Sequence, residues 1–282
     1  DSKGNIIKEY NINNDNKPSF FVRARGLHML ENNVTNNDHK PLSATVFDIG
    51  TFMFHNAKYL HNNKMGPNLY IPKLESYEDA KFISRVISEC EELLDIPHGT
   101  TNVTVLIETF PAIFQTNEII YALKDHIVGL NCGRWDYLFS MIKCLGSKTI
   151  LPDRNLLSMN QPFLEAYVNE IVTSCHRRNI HAMGGMSAFI PTTDKDENIR
   201  ILNDITMDKI LEIERGCDGA WVAHPGLIQP IQDLFEDKLG GDNMINYIPD
   251  VITMKVDKDK DDLIKLDGEV SYSESTLRDN IS

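Results

Sequence analysis

No apolar run in this 282-residue sequence approaches the roughly 20 residues that a bilayer-spanning helix needs, and no basic segment leads into an apolar one at its start. Neither a membrane anchor nor a secretory leader is expected. Cysteine is scarce: Cys90, Cys132, Cys144, Cys175 and Cys217 make an odd count with no CxxC pair. That argues against a disulfide framework and a zinc site, and points to a reduced, intracellular chain. Cys175 and His176 are adjacent, and adjacent helical residues point in different directions, so the pair reads as structural. Positive charge is also short. Against 41 Asp and Glu stand 28 Lys and Arg, a net charge of -13. Such a surface repels phosphate backbones and excludes non-specific nucleic-acid binding, while leaving room for a local basic pocket. No GxGxxG or Walker-A string follows any strand-like run, which weighs against a nucleotide-binding open sheet. The chain opens on Asp1 instead of methionine and closes on a polar stretch, as a piece of a longer protein would.

What is present is enough for a core. Hydrophobic residues make up 41% and charged residues 24%, ordinary values that fit one large α/β domain or two small ones. Residues 1–18 are polar and read as a solvated lead-in. From Phe20 onward, short apolar runs alternate with longer amphipathic ones. The short runs are Phe20–Val22, Leu69–Ile71, Val103–Ile107, Ile127–Leu130, His181–Met183 and Ala220–Ala223. Their continuity suits strands covered on both faces. Ala44–Ile49 reads as a strand or as the start of a helix.

The stretches between them carry helical spacing. From Ser76 to Leu94 the apolar residues Ile83, Val86, Ile87, Cys90, Leu93 and Leu94 form one stripe, with Ser76 and Asp79 as a capping box. Pro162 fits the first turn of another helix, whose stripe is Leu164, Tyr167, Val168, Ile171, Val172 and Cys175. Further helices are predicted at 117–125, 137–145, 203–215 and 229–239, with Gly216 and Gly240 as stops. Alternating strands and helices imply a parallel sheet. About six β-α units are visible. A (β/α)₈ TIM barrel, incomplete at both ends, is the leading fold, and a doubly wound sheet the second. The barrel core is assigned to 19–241, and 242–282 to a linker into a truncated C-terminal helical region. The mixed-charge run Asp257–Asp262 reads as a solvated loop, since it lacks the glycine and closing Glu of a calcium loop.

Chemistry-bearing residues should gather where strands end. Glu108 directly follows the run Val103–Ile107, where a carboxylate must be paired, solvated or bound to a metal. In GLNCGRWD (129–136) a strand runs into a glycine turn and a helix. Asp136 reads either as an N-cap or, with Glu108 from the preceding strand, as half of a Mg²⁺ site. The turn Gly133, Arg134 and Trp135 would direct backbone N–H groups at a small carboxylate. Arg23 and Arg25 would share one strand face, either to stabilise an oxyanion or to form a surface ion pair. Gly184 and Gly185 close a strand and would allow close approach of a ligand. Trp221, His224 and Pro225 close the next. Trp221 by itself reads as packing. His28, His55, His126 and His224 show no metal-ligand spacing. Together these residues suggest a Mg²⁺ site that activates a small oxo-acid, with an arginine beside it.

The strings RARGLH, PLSATVFDIGTFMFHN, LYIPKLES, TVLIET, DHIVGLNCGRWDYLFSMIK, LPDRNLLSMNQPF, CHRRNIHAMGGMSAFIP and GAWVAHPGL follow one another across most of residues 20–230. In them the chain resembles the malate synthase family, of the shorter type found in plants, fungi and many bacteria. The resemblance implies a TIM barrel and a Mg²⁺-dependent Claisen condensation of acetyl-CoA with glyoxylate, giving malate and CoA. Glu108 and Asp136 match the family's magnesium ligands. Glyoxylate would rest on the backbone of Gly133, Arg134, Trp135 and Asp136. Arg23 matches the arginine that stabilises the enolate, with Arg25 the lesser candidate, and Trp221 and Pro225 would lie along the acetyl-CoA channel. The family's base is an aspartate in a C-terminal helical domain, after a segment resembling 276–281. Its motif is absent here, so the chain as given is expected to have little or no synthase activity while the full-length protein is active. A eukaryotic member would sit in peroxisomes or glyoxysomes, and a bacterial one in the cytoplasm. The competing expectations are a related malyl-CoA or citramalyl-CoA lyase, and a non-catalytic truncated fragment.

Overall fold

Each strand of the main sheet pairs in parallel with the next strand of that sheet along the chain, and the sheet curls far enough for its members to touch across the interior. The computed structural model describes residues 18–146, 151, 157, 160–187, 194–249 and 261–265, with isolated positions 273, 274, 278 and 281. The predicted lead-in lies outside the described residues, as do most of the mixed-charge run and most of LPDRNLLSMN.

The six-stranded sheet runs β1 (Val22–Arg23), β4 (Asn68–Ile71), β5 (Asn102–Ile107), β6 (Ile127–Cys132), β7 (His181–Gly184) and β8 (Gly219–Ala220), every pair parallel. All four residues of β4 are buried, as are the last five of β5, so this sheet is covered on both faces. Two strands are shifted from their predicted places. β1 starts at Val22, where Leu69 first offers a partner. β8 stops at Ala220 instead of running from Ala220 to Ala223, because the chain turns at His224 into a short 3-10 helix, Pro225–Leu227.

Curvature is visible in the side chains. The rings of Tyr70, on β4, and Trp221, just past β8, lie 4.7 Å apart. Four strand steps along a flat sheet would separate them by about 19 Å. The Tyr70 hydroxyl also donates to Asn131 Oδ1 on β6 at 3.1 Å, skipping β5. Residues from alternate strands meeting in one layer is how a barrel interior fills. The molecule is an incomplete (β/α)₈ barrel.

Eight α-helices lie among the described residues: α1 (Ala44–Asn62), α2 (Tyr77–Leu93), α3 (Phe110–Ile113), α4 (Thr116–Ala122), α5 (Arg134–Leu145), α6 (Pro162–His176), α7 (Lys195–Glu214) and α8 (Ile228–Leu239). Ala44–Ile49 thus opens a helix. The capping box of α2 forms in both directions, Ser76 to the Asp79 N–H and Asp79 back to the Ser76 N–H. Its stripe buries Ala80, Ile83 and Ile87 in the main core with Leu69, Ile71, Val103, Val105 and Leu130. Truncating a buried isoleucine such as Ile83 to alanine costs about 2–5 kcal/mol. α7 starts earlier than the predicted 203, because Asp194 accepts from the N–H groups of Asp196 and Glu197 and caps it. A smaller core of Ile205, Ile213, Leu227, Ile231 and Phe235 joins α7 to α8.

Between β1 and α1 a two-stranded antiparallel hairpin, β2 (Leu30–Thr35) and β3 (Pro41–Ser43), interrupts the parallel rhythm. Its sequence LENNVT was not predicted as a strand. Asn36 closes the turn by accepting from the Asp38 and Lys40 N–H groups.

Candidate cation site at the barrel mouth

The register of β5 with β6 sets Ile107 beside Cys132, so Glu108 and Gly133 leave the sheet at the same level. Gly133, not Asp136, occupies the N-cap of α5. The helix begins at Arg134, three residues before the predicted start, and Tyr137 N–H bonds Gly133 O at 2.9 Å. The N-cap reading of Asp136 is therefore set aside, and Asp136 stands in the first helical turn. A Cβ added to Gly133 would sit 2.5 Å from Glu108 Cβ and 3.1 Å from Leu106 Cγ. Only glycine lets the start of α5 approach the end of β5 this closely.

Glu108 is fully buried. Its Oε1 accepts the Lys73 backbone N–H at 2.9 Å. The Lys73 ammonium lies 3.1 Å from Glu108 Oε2 and 2.8 Å from Asp136 Oδ2, so two carboxylates from successive strands share one cation. Burial, together with the hydrogen bond that a protonated Glu108 donates to Asp136, pushes the Glu108 carboxyl up to about 7, with Lys73 opposing. Burial acts on Asp136 in the same direction, but its bonds to Glu108 and Lys73 outweigh it and hold that carboxyl below the usual range. Arg23 reaches Glu108 Oε1 at 3.7 Å, half-exposed, with its guanidinium 5.6 Å from the centre of the Tyr70 ring. Arg25 turns the other way and is committed to Asp48 at 2.7 Å and Glu31 at 3.0 Å.

Two oxygen donors of this kind suit a hard divalent ion such as Mg²⁺, which takes one or two carboxylates and leaves its other positions to water and substrate. Glu108 Oε2 fits the role. It is buried, and the cation in contact with it is the Lys73 ammonium. Asp136 is half-exposed, which keeps the opposite side of the pair open.

The other predicted residues divide. Trp221 joins the mouth through its contact with Tyr70. Pro225 opens the exposed 3-10 helix after β8. The Arg134 side chain points away to Asp208 on α7 at 2.8 Å, so only its backbone is left to face the mouth. Gly184 and Gly185 approach their own chain. A Cβ would collide with the Glu212 carboxylate at Gly184 and with Cys132 O at Gly185. Beneath them the buried Lys209 ammonium bonds Gly185 O, and Glu212 at 2.8 Å, tying α7 to the end of β7. Cys175 is buried, and its neighbour His176 bonds Asp218 at 3.0 Å, so the pair has no shared site.

Sequence reading missed Lys73, Tyr70 and Asn131. Tyr70 sits inside the predicted run Leu69–Ile71 and Asn131 one residue past the predicted run Ile127–Leu130, and the facing of both depends on the curl of the sheet. A second group, Glu91, His98 and His126, brings its donor atoms within 4.8 Å of one another at the opposite end of the strands. Glu91 already accepts from Gly99 N–H at 2.9 Å and Thr101 N–H at 2.8 Å. His126 bonds Thr101 O at 3.2 Å and Ser88 Oγ at 3.3 Å, and burial lowers its pKa. These groups lock the turn entering β5, the end of a barrel associated with stability.

A family model described as malate synthase, TIM barrel domain, matches residues 19–265. The malate synthase of Myxococcus xanthus (strain DK1622) is 44% identical over 242 residues, 85% of this chain and 44% of that protein. The glyoxysomal malate synthase of Candida tropicalis is 41% identical over 248 residues, 86% of this chain and 45% of that protein. The chain thus spans less than half the length of these curated relatives. A solved citrate lyase from Burkholderia xenovorans LB400 shares the fold, with TM-score 0.57 and 16% identity over 76% of this chain and 57% of that one. With its barrel matched almost from end to end, the chain belongs to the malate synthase family.

Proposed function

We propose that this chain forms the cation- and glyoxylate-binding part of a malate synthase, which joins the acetyl group of acetyl-CoA to glyoxylate. The observation that carries this reading is the convergence of Glu108 and Asp136 on one cation position at the mouth of the barrel. A bound Mg²⁺ would supply Lewis-acid polarisation of the aldehyde. The first turn of α5, at Arg134, Trp135 and Asp136, offers helix N-terminal N–H groups and a positive dipole end that would seat the glyoxylate carboxylate. Arg23 stands beside Glu108 with half its surface open, placed to hold negative charge as an enolate oxygen develops. Tyr70 and Trp221 make an aromatic wall next to it, and with Pro225 they would line the approach of acetyl-CoA. Glu108 and Asp136 are both committed to the cation, so neither serves as the base that removes the methyl proton.

No helix among the described residues is long and apolar enough to cross a membrane. With a glyoxysomal relative at hand, we place the protein in peroxisomes or glyoxysomes if its source is eukaryotic, and in the cytoplasm otherwise. The test is Mn²⁺ binding to the 282-residue chain, read by electron paramagnetic resonance. One site is expected, its signal altered by glyoxylate and lost in Glu108→Gln and Asp136→Asn. Equal Mn²⁺ binding by wild type and both variants would overturn the assignment.

A further inference from the structure

We propose that the Lys73 ammonium is a built-in placeholder cation that holds the Glu108–Asp136 pair together until a divalent ion arrives and displaces it. The proposal rests on the cation site argued above and adds how that site is kept open and then filled. Lys73 touches Glu108 twice. Its backbone N–H holds Oε1 at 2.9 Å and its ammonium lies 3.1 Å from Oε2, while the same nitrogen bridges to Asp136 Oδ2 at 2.8 Å.

The two contacts differ in permanence. The backbone N–H is fixed by the chain, because Lys73 holds φ at 61°, a left-handed conformation uncommon for a residue with a side chain. That conformation aims both the N–H and the side chain at one carboxylate. The ammonium, by contrast, ends a flexible stem, and the side chain is about a third exposed, so a route to water exists. Arg23 is a poorer candidate for the same task. It stands farther off at 3.7 Å and reaches only Glu108 among the two carboxylates.

Sterics and charge require an exchange. A divalent ion of the Mg²⁺ class sits about 2.0–2.1 Å from each carboxylate oxygen. A divalent ion held by these two carboxylates would compete with the ammonium, which already contacts one oxygen of each. Without the ammonium, Glu108 would be a buried carboxylate beside a second one, with the Arg23 guanidinium at 3.7 Å the remaining cation near it. Lys73 therefore holds the two carboxylates together whenever no divalent ion is bound. When it leaves, its N–H still fixes Oε1, so the geometry survives the exchange.

Two measurements on the full 282-residue chain test this. The first maps acetylation of Lys73 by an amine-reactive reagent with and without saturating Mn²⁺. Labelling should rise severalfold when Mn²⁺ binds. The second compares Mn²⁺ affinity and thermal stability of Lys73→Met and Lys73→Arg with wild type. Lys73→Met keeps the stem and the backbone N–H. It should bind Mn²⁺ tighter by about tenfold, the scale on which neighbours of a metal act. Its metal-free form should melt lower and gain more from Mn²⁺. Lys73→Arg keeps the charge and should bind no tighter than wild type. Labelling that is unchanged or reduced by Mn²⁺ overturns the proposal, whatever becomes of the variants. Tighter binding with unchanged labelling would mean repulsion without displacement, and also overturns it. If wild type takes up no Mn²⁺ at all, the cation site itself fails and the placeholder with it. If wild type binds and Lys73→Met matches it, only the placeholder fails.

Discussion

Replacing Gly133 by alanine tests whether the approach of α5 to β5 is what builds the cation site. The backbone at Gly133 has φ -92° and ψ 62°, so alanine meets no left-handed strain and the effect is steric. The new methyl would stand 2.5 Å from Glu108 Cβ and 3.2 Å from Glu108 Cα, both on the main body of a buried strand end that cannot swing aside. Ordinary carbon contacts lie at about 3.5–4.0 Å, so α5 or Glu108 must retreat by about 1 Å. Overpacking of this kind costs about 1–3 kcal/mol. The same retreat separates Glu108 from Asp136 in the first turn of α5, and disturbed supports of a metal site lose about 10–100-fold in affinity. Urea unfolding and Mn²⁺ titration of Gly133→Ala should therefore both change, and by comparable free energies, since 10–100-fold in affinity is about 1.4–2.7 kcal/mol. A folded Gly133→Ala protein with wild-type stability and Mn²⁺ affinity would refute the argument that this glycine sets the spacing.

Two further predictions address the scaffold. Asp218 accepts from Ala182 N–H and Met244 N–H, each at 2.7 Å, and from His176 at 3.0 Å. Burial works against ionisation, but His176, His181 and the two N–H groups outweigh it and hold the carboxyl far below its usual value. A depressed acid stabilises the fold above its unfolded pKa of about 3.9 and loses that contribution as pH falls. Asp218→Asn should cost about 2–4 kcal/mol at pH 7 and flatten the acid limb of stability below about pH 4; urea midpoints at pH 7 and 3 check both. Glu91→Ala should strand the Gly99 and Thr101 N–H groups and cost about 2–4 kcal/mol in the same assay. Its Mn²⁺ affinity should match wild type, and a loss there would relocate the ion to Glu91, His98 and His126.

The barrel was legible because its strands are buried on both faces and so leave continuous apolar runs, while α2 and α6 carry apolar stripes at helical spacing, from which Leu93, 85% exposed at the end of α2, departs. The runs failed only at their ends, where pairing and not propensity decides the last residue, as at Val22 and Ala220. LENNVT gave no strand signal because it lies off the main core, with its apolar Leu30 exposed and the charged Glu31 its one buried residue. The start of α7 was hidden in the charged run after Asp194, whose meaning depends on the cap it forms. Glu108 and Asp136 could be singled out as candidates because both stand at the ends of strand runs. Lys73 could not, since nothing in LYIPKLES distinguishes it from any loop lysine. Its importance comes from a left-handed backbone and a partner 35 residues away. Glu91 likewise looks like a solvated helix residue until the 95–101 turn folds back over it.

Both carboxylates belong to a single run of chain, from the start of β5 through the first turn of α5, with Lys73 donated by the strand next door. The proposed cation site is thus a neighbourhood product, assembled by adjacent modules of the sheet. Cutting and rejoining the polypeptide between α7 and α8 would leave that neighbourhood whole. The aromatic wall depends on a longer reach, since Trp221 comes from beyond α7 to meet Tyr70 on β4.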